Sequence, residues 1–216
     1  MMCVVSANLG NFDAPLPHVA QEWVGVSYAL FTDVNMPPRP KAMTARLQAK
    51  IPKMFAWDMR PDFESYLWLD ASLCLSKPDS AAWFLEQLGT NDIVVFRHPH
   101  RKTIHEEAAF VRRKIEESHP YLVSRYAGED IDGQLRAIER DPFYVDDHLY
   151  NAGAFCYRPT EKIKAAMTEW WVHTTRFHCI DQLAFSYVLR HCAVSVIKEK
   201  IHEASHLAWT RKKGHG

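Results

Sequence analysis

Several absences bound this sequence before any motif does. Neither charge is in excess, since 26 Lys and Arg balance 26 Asp and Glu; no global field therefore advertises a polyanionic partner such as nucleic acid. No window approaches the roughly 18 consecutive apolar residues that a membrane-crossing helix needs. The opening MMCVVSANLG has no basic stretch leading into a long apolar one, so it does not read as a secretory leader and a cytoplasmic protein is expected. The cysteines at positions 3, 74, 156, 179 and 192 never fall at CxxC spacing. That removes a zinc knuckle or a thioredoxin-like pair and leaves packing, in reduced form, as the reading of Cys156 and Cys179. Internal repeats, low-complexity linkers and breaks in composition are also missing. Residues 1–216 are accordingly expected to form a single domain, with a basic tail from about residue 208.

What is present is an alternation of short apolar runs with helical patterns. Strands are expected at residues 2–7, 23–31, 66–69, 92–96 and 149–157, with a last one at 193–198. Helices are expected at 44–55, 81–88, 106–117, 130–140, 160–174 and 181–191. Thr44 and Thr160 are the natural caps of two of them. In the first helix Leu47, Ile51 and Met54 share one side, and Pro52 predicts a kink or break near Ile51. Strands alternating with helices from the start give an α/β class: one Rossmann-like domain, its largely parallel central sheet flanked by helices.

Three strands run out into small or acidic residues: Ser6-Ala7-Asn8, Thr32-Asp33 and Trp68-Leu69-Asp70-Ala71-Ser72. In open α/β sheets ligands bind at the carboxyl ends of strands. An Asp there can hold a ribose hydroxyl or a cation bridging a diphosphate, or it can merely cap a turn. Asp70 is the stronger candidate, because a charge closing so apolar a strand needs a partner.

The segment Arg46-Leu47-Gln48-Ala49-Lys50-Ile51-Pro52 followed by Tyr66 to Ser72 resembles GT-A-fold glycosyltransferases, in which a basic helix precedes a strand ending in an Asp-x-Asp metal motif. Asn151-Ala152-Gly153 and the Asp181-Gln182 pair are similar to segments of the glycogenin and lipopolysaccharide-galactosyltransferase family. Trp68/Asp70, Arg97-His98-Pro99-His100-Arg101 with Glu106-Glu107, and Asp181 to Phe185 also resemble a related transferase group long labelled a domain of unknown function.

The resemblance implies a transferase moving a sugar from a nucleoside-diphosphate sugar, most simply a UDP-sugar, to a glycan, a small molecule or a modified nucleic-acid base. It implies retention of configuration and a divalent cofactor, Mn2+ or Mg2+. Donor contacts would come from Ala7, Asn8, Asp33, Arg46, Lys50, Asp70, Ser72, Asn151, Ala152, Gly153 and Lys212, and the reaction centre from Asp181 and Gln182. Acceptor contacts would come from His98, Arg101 and Glu106, and metal ligands from Asp70, Ser72 and His206. One departure matters. Asp70-Ala71-Ser72 lacks the second carboxylate of the motif, which also admits a degenerate module that binds the donor without turnover.

Other features have plainer readings beside them. His202-Glu203-Ala204-Ser205-His206 matches the HExxH zinc-hydrolase pattern, which requires both His on one helix face and a third ligand. The run Arg97 to His105 is either a phosphate or acceptor contact or a solvated loop, and Trp170-Trp171 reads as core.

Overall fold

The computed structural model describes residues 1–178 and 180–210. Its strands are β1 (Met2–Asn8), β2 (Val26–Thr32), β3 (Ser65–Leu69), β4 (Leu73–Leu75), β5 (Ile93–Arg97), β6 (Tyr150–Tyr157), β7 (Val194–Ile197) and β8 (Leu207–Trp209). Its helices are α1 (Ala45–Met59), α2 (Ser80–Leu88), α3 (Ile104–Glu116), α4 (Pro120–Tyr126), α5 (Ile131–Glu139), α6 (Glu161–Arg176) and α7 (Asp181–Val188). Six strands form one sheet in the order β2-β1-β3-β6-β5-β7, so the chain is a mixed α/β fold with a mostly parallel central sheet. The exception is β6, which runs antiparallel to both β3 and β5. Among the described residues no helix is long and apolar enough to cross a membrane.

Alternation along the strands builds two cores. Cys3 and Val5 of β1, Tyr66 and Trp68 of β3, and Ile93 and Val95 of β5 face a cluster shared with α1, α3, α5, α6 and α7. Their neighbours Met2, Val4, Leu67, Leu69, Val94 and Phe96 face a second cluster with α2 and β4. Period-2 side-chain direction is enough to sort them. Trp170 is fully buried in the first cluster, as the core reading required.

β6 departs from that alternation. Its pairing with β5 steps from Val95↔Phe155 directly to Phe96↔Asn151, leaving extra residues in β6. Ala152 and Ala154 consequently face opposite cores. The bulge lies beside the end of β3, where Asp70 N–H donates to the Gly153 carbonyl at 2.8 Å.

Four expectations are corrected. The strand expected at 23–31 begins at Val26, because Val26 is where pairing with Met2 starts, and Trp23 is left exposed. Residues 193–198 do not hold the last strand: β8 follows and pairs antiparallel with β4. Both strands are three residues long, too short for periodicity to register. α1 does not break near Ile51; it runs through Pro52, leaves helical geometry at Phe55 and continues to Met59. Its buried positions include the polar Gln48 and Lys53, whereas Leu47 and Ile51 are only partly buried. Finally, α4 was not anticipated, and α7 stops at Val188, short of residue 191.

Candidate functional site

A cleft of ≈ 490 Å³ opens where β1 and β3 end. Its first wall is the turn after β1, Leu9–Asn11, in which Gly10 takes φ 72°, a conformation that suits glycine. The Gly10 N–H donates to Asp33 Oδ2 at 2.6 Å, and Asp33 also pairs with Arg39. Asn8 pins the following loop, its amide group bonding both the carbonyl (2.8 Å) and the N–H (3.0 Å) of Asp13.

The floor is a charge cluster between β3, α1 and α7. Trp68 Nε1 donates to Asp70 Oδ1 at 2.8 Å, and Lys53 Nζ donates to the same oxygen at 3.2 Å. Lys53 also donates to Asp181 Oδ2 at 2.7 Å, and Lys50 Nζ reaches that oxygen at 2.5 Å. α1 presents both lysines because positions three apart lie on one helix face. Lys53 is only 1% exposed, with its ammonium 5.3 Å from the Trp68 ring centroid and 5.7 Å from that of Trp170. Burial opposes the charge on Asp181, but the two ammonium groups outweigh it and hold the carboxyl at about 2. Burial likewise works against the Lys53 charge, yet Asp181 and Asp70 prevail and raise its pKa. For Lys50, burial and the neighbouring Lys53 charge win over Asp181, and its pKa falls.

The rim is cationic and aromatic. The Arg125 guanidinium of α4 lies 4.5 Å from the Phe12 ring centroid and 4.2 Å from that of Tyr121. Arg46 Nη1 donates to the Arg125 carbonyl at 2.9 Å, and its guanidinium sits over Tyr126. Arginines held on aromatic faces keep their planar donor forks preorganised for an anion.

Of the residues singled out from sequence, Ala7, Asn8, Arg46, Lys50, Asp70 and Ser72 line this one cleft. Asp181 joins from below through the lysines, mostly buried, and Gln182 is partly buried beside it on the first turn of α7. Asp33 and the β6 segment support the cleft from outside its lining. Asn151 Oδ1 accepts from the Gly153 N–H at 2.8 Å, and Ala152 is buried. A Cβ on Gly153 would sit 3.0 Å from Asn151 Oδ1 and 3.4 Å from Asp70 Oδ2, so glycine leaves β6 room beside the carboxylate.

Other candidates lie elsewhere. His98 Nδ1 accepts from the Arg101 N–H at 3.1 Å, and Arg101 pairs with Glu107 while its guanidinium lies 4.0 Å over Phe110. Burial first, then the Arg101 charge, pushes the His98 pKa down to about 4. Glu106 accepts from the Lys102 N–H at 2.6 Å, alongside the Thr103 cap of α3. The three residues proposed for acceptor contact thus organise the end of β5 and the start of α3. His206 stacks on Trp83 at 4.5 Å in a separate depression, with Nε2 3.6 Å from Asp79. It is not brought to Asp70, which corrects its reading as a shared metal ligand. Residues 201–206 form turns, not a helix, and His202 stacks on Trp209 instead of facing His206. The zinc-hydrolase reading therefore loses its geometric basis. Cys179 and Lys212 lie outside the described residues.

Lys53, Tyr121 and Arg125 are the cleft residues that the sequence reading overlooked. For Lys53 a signal existed: a lone Lys between Pro52 and Met54, three positions after Lys50.

A divalent cation on Asp70 fits poorly. Oδ1 already serves Trp68 and Lys53, leaving Oδ2 and the Ser72 hydroxyl as protein donors on this strand end. Two like unit charges 4 Å apart repel by about 4 kcal/mol at an effective dielectric of 20. The ammonium at Asp70 therefore opposes a second cation on the same carboxylate. Among the described residues no three His, Cys, Asp or Glu side chains cluster as ligands.

No family model matches the chain, and no curated protein matches it. Solved structures do: an active-site mutant of LgtC is 12% identical, and the galactosyltransferase LgtC in complex with donor and acceptor sugar analogs is 11% identical. Each match covers 90% of this chain and 72% of the other, at a TM-score of 0.41. A likeness that low carries no argument about chemistry, which rests on the cleft itself.

Proposed function

We propose that this chain, acting as one domain over residues 1–216, transfers a glycosyl group from a nucleoside-diphosphate sugar bound in the cleft beyond β1 and β3. The observation that carries this is the cleft lining: Arg46, Lys50 and Lys53 of α1 and Arg125 of α4 converge on a space bounded by Asp70 and Asn8. In glycosyl transfer the bond from the anomeric carbon to the diphosphate oxygen breaks, and its electron pair leaves with the diphosphate. The acceptor oxygen then bonds to that carbon and gives up its proton. Cations aimed at the departing diphosphate stabilise the charge that develops. Asp70 Oδ2 and the amide of Asn8 are suited to sugar or ribose hydroxyls. Asp181, held by both lysines, is a positioning residue in this scheme. The sequence resemblance favours a uridine donor and retention of configuration.

A second reading has its own support. Because Asp181 spends Oδ2 on Lys50 and Lys53, and its Oδ1 is buried without a partner, no carboxylate of α7 is free to face an anomeric carbon. A module that binds nucleotide sugar without turnover would look the same. Incubation with a panel of UDP-, GDP-, ADP- and CMP-sugars, reading thermal stabilisation and release of free nucleotide, separates the two. Stabilisation with slow nucleotide release is the expected result. Stabilisation with no release, even with a range of acceptors, selects the binding module, and no stabilisation by any donor rejects both.

A further inference from the structure

We infer that the cleft binds its diphosphate without a divalent cation, the ammonium groups of Lys50 and Lys53 standing where a metal would neutralise the leaving group. The inference rests on the nucleoside-diphosphate reading above and narrows it. Three observations lead to it, against the metal that the sequence resemblance implies.

The first is the state of Asp70. Its Oδ1 accepts from an indole N–H and from an ammonium, so the carboxylate a metal would need is already engaged with a cation of the protein. The second is the partner supply. Ser72 stands where the motif has its second carboxylate, and His206 is turned away onto Trp83. The third is the design of the lysine pair. Both ammonium groups are anchored by one oxygen of Asp181, at 2.5 and 2.7 Å, and Lys53 is flanked by two tryptophan rings. An ammonium fixed in this way acts on a phosphate as a preorganised point charge, needing no rearrangement when the ligand arrives. Two lysines share Asp181 with each other and Lys53 alone reaches Asp70, so Lys50 is the ammonium with the least carboxylate contact and the first available to an anion. The lowered pKa of Lys50, from burial and from Lys53, fits a group whose charge is under-compensated until an anion binds.

The test is calorimetric titration of the intact protein with UDP, GDP, ADP and CDP, each in EDTA and again in excess manganese. The expected result is that at least one nucleoside diphosphate binds in EDTA, with manganese changing its affinity by less than about threefold. Lys50→Gln, whose side chain reaches the cleft edge, should weaken that metal-free binding by about tenfold or more. Binding seen only with manganese overturns the inference while leaving the transferase reading in place. A folded Lys50→Gln protein with unchanged affinity in EDTA also overturns it. Absence of binding to all four nucleotides in both conditions overturns the nucleoside-diphosphate reading itself.

Discussion

At the scale of single residues, Asp181 decides most. Its carboxylate is the shared counter-charge of two buried lysines, so Asp181→Asn leaves Lys50 without a counter-charge and Lys53 with Asp70 alone, and should cost about 3 kcal/mol or more. A urea-melt difference below about 1 kcal/mol would show the cluster to be less coupled than its distances indicate. The pH sign follows from the depressed carboxyl. Asp181 stabilises the fold above its ordinary pKa of 3.8, and that contribution, roughly 2 kcal/mol, is lost as pH falls toward about 2. Asp181→Asn should remove this limb of the acid melt. Gly153 offers a sterically distinct check. An added methyl meets Asn151 Oδ1 at 3.0 Å and Asp70 Oδ2 and Ile201 Cδ1 at 3.4 Å, so Gly153→Ala should destabilise by about 1–2 kcal/mol. It should also weaken ligand binding through Asp70, and a variant as stable as the parent would argue that the bulge gives way freely. Asp70 was legible in the sequence because a charge closes an apolar strand. Lys53 was not, because a lysine on a helix is ordinarily read as facing water, and only tertiary pairing tells otherwise.

At the scale of elements, α1 is the piece that carries function. It brings Arg46, Lys50 and Lys53 to one cleft, and its first turn is fixed by Thr44, whose hydroxyl accepts from the Leu47 N–H at 3.1 Å. Thr44→Ala should cost about 1 kcal/mol, measured as a shift in the denaturation midpoint at unchanged slope. No measurable cost would mean that tertiary packing alone holds the turn. The strong strands β1, β3, β5 and β6 were readable as apolar runs, and the caps of α1 and α6 were readable as Thr before a periodic segment. The direction of β6 was not, since a buried run is equally apolar whichever way it points. β4 and β8 escaped for want of length. The basic run after β5 misled for a different reason: charge density suggests a ligand, but Arg101 is satisfied internally by Glu107 and Phe110.

At the scale of the whole molecule, buried histidines shape the response to acid. His98 and His178 are pushed down to about 4, chiefly by burial, and His173 is lowered by burial as well. The fold holds them neutral while the unfolded chain accepts protons below the ordinary value of 6.5. The contribution of these histidines is therefore full above pH 6.5 and declines as pH falls toward about 4. Urea midpoints should fall steadily across that window, and His178→Asn should flatten the decline while keeping an acceptor for the Ile180 N–H, now at 3.2 Å from Nδ1. A midpoint that stays level from pH 6.5 to pH 4 would contradict the buried neutral state.

The long reach of the cleft's contacts also fixes when it can exist. Lys50 and Asp181 are 131 positions apart, and the turn at Ser72 is tied to Thr210 across 138. During synthesis α1 leaves the ribosome well before α7, so Lys50 has no counter-charge until Asp181 emerges, while Lys53 can already meet Asp70. Contacts of such separation form late. The charge cluster under the cleft is therefore incomplete until α7 has been made and has packed against α1.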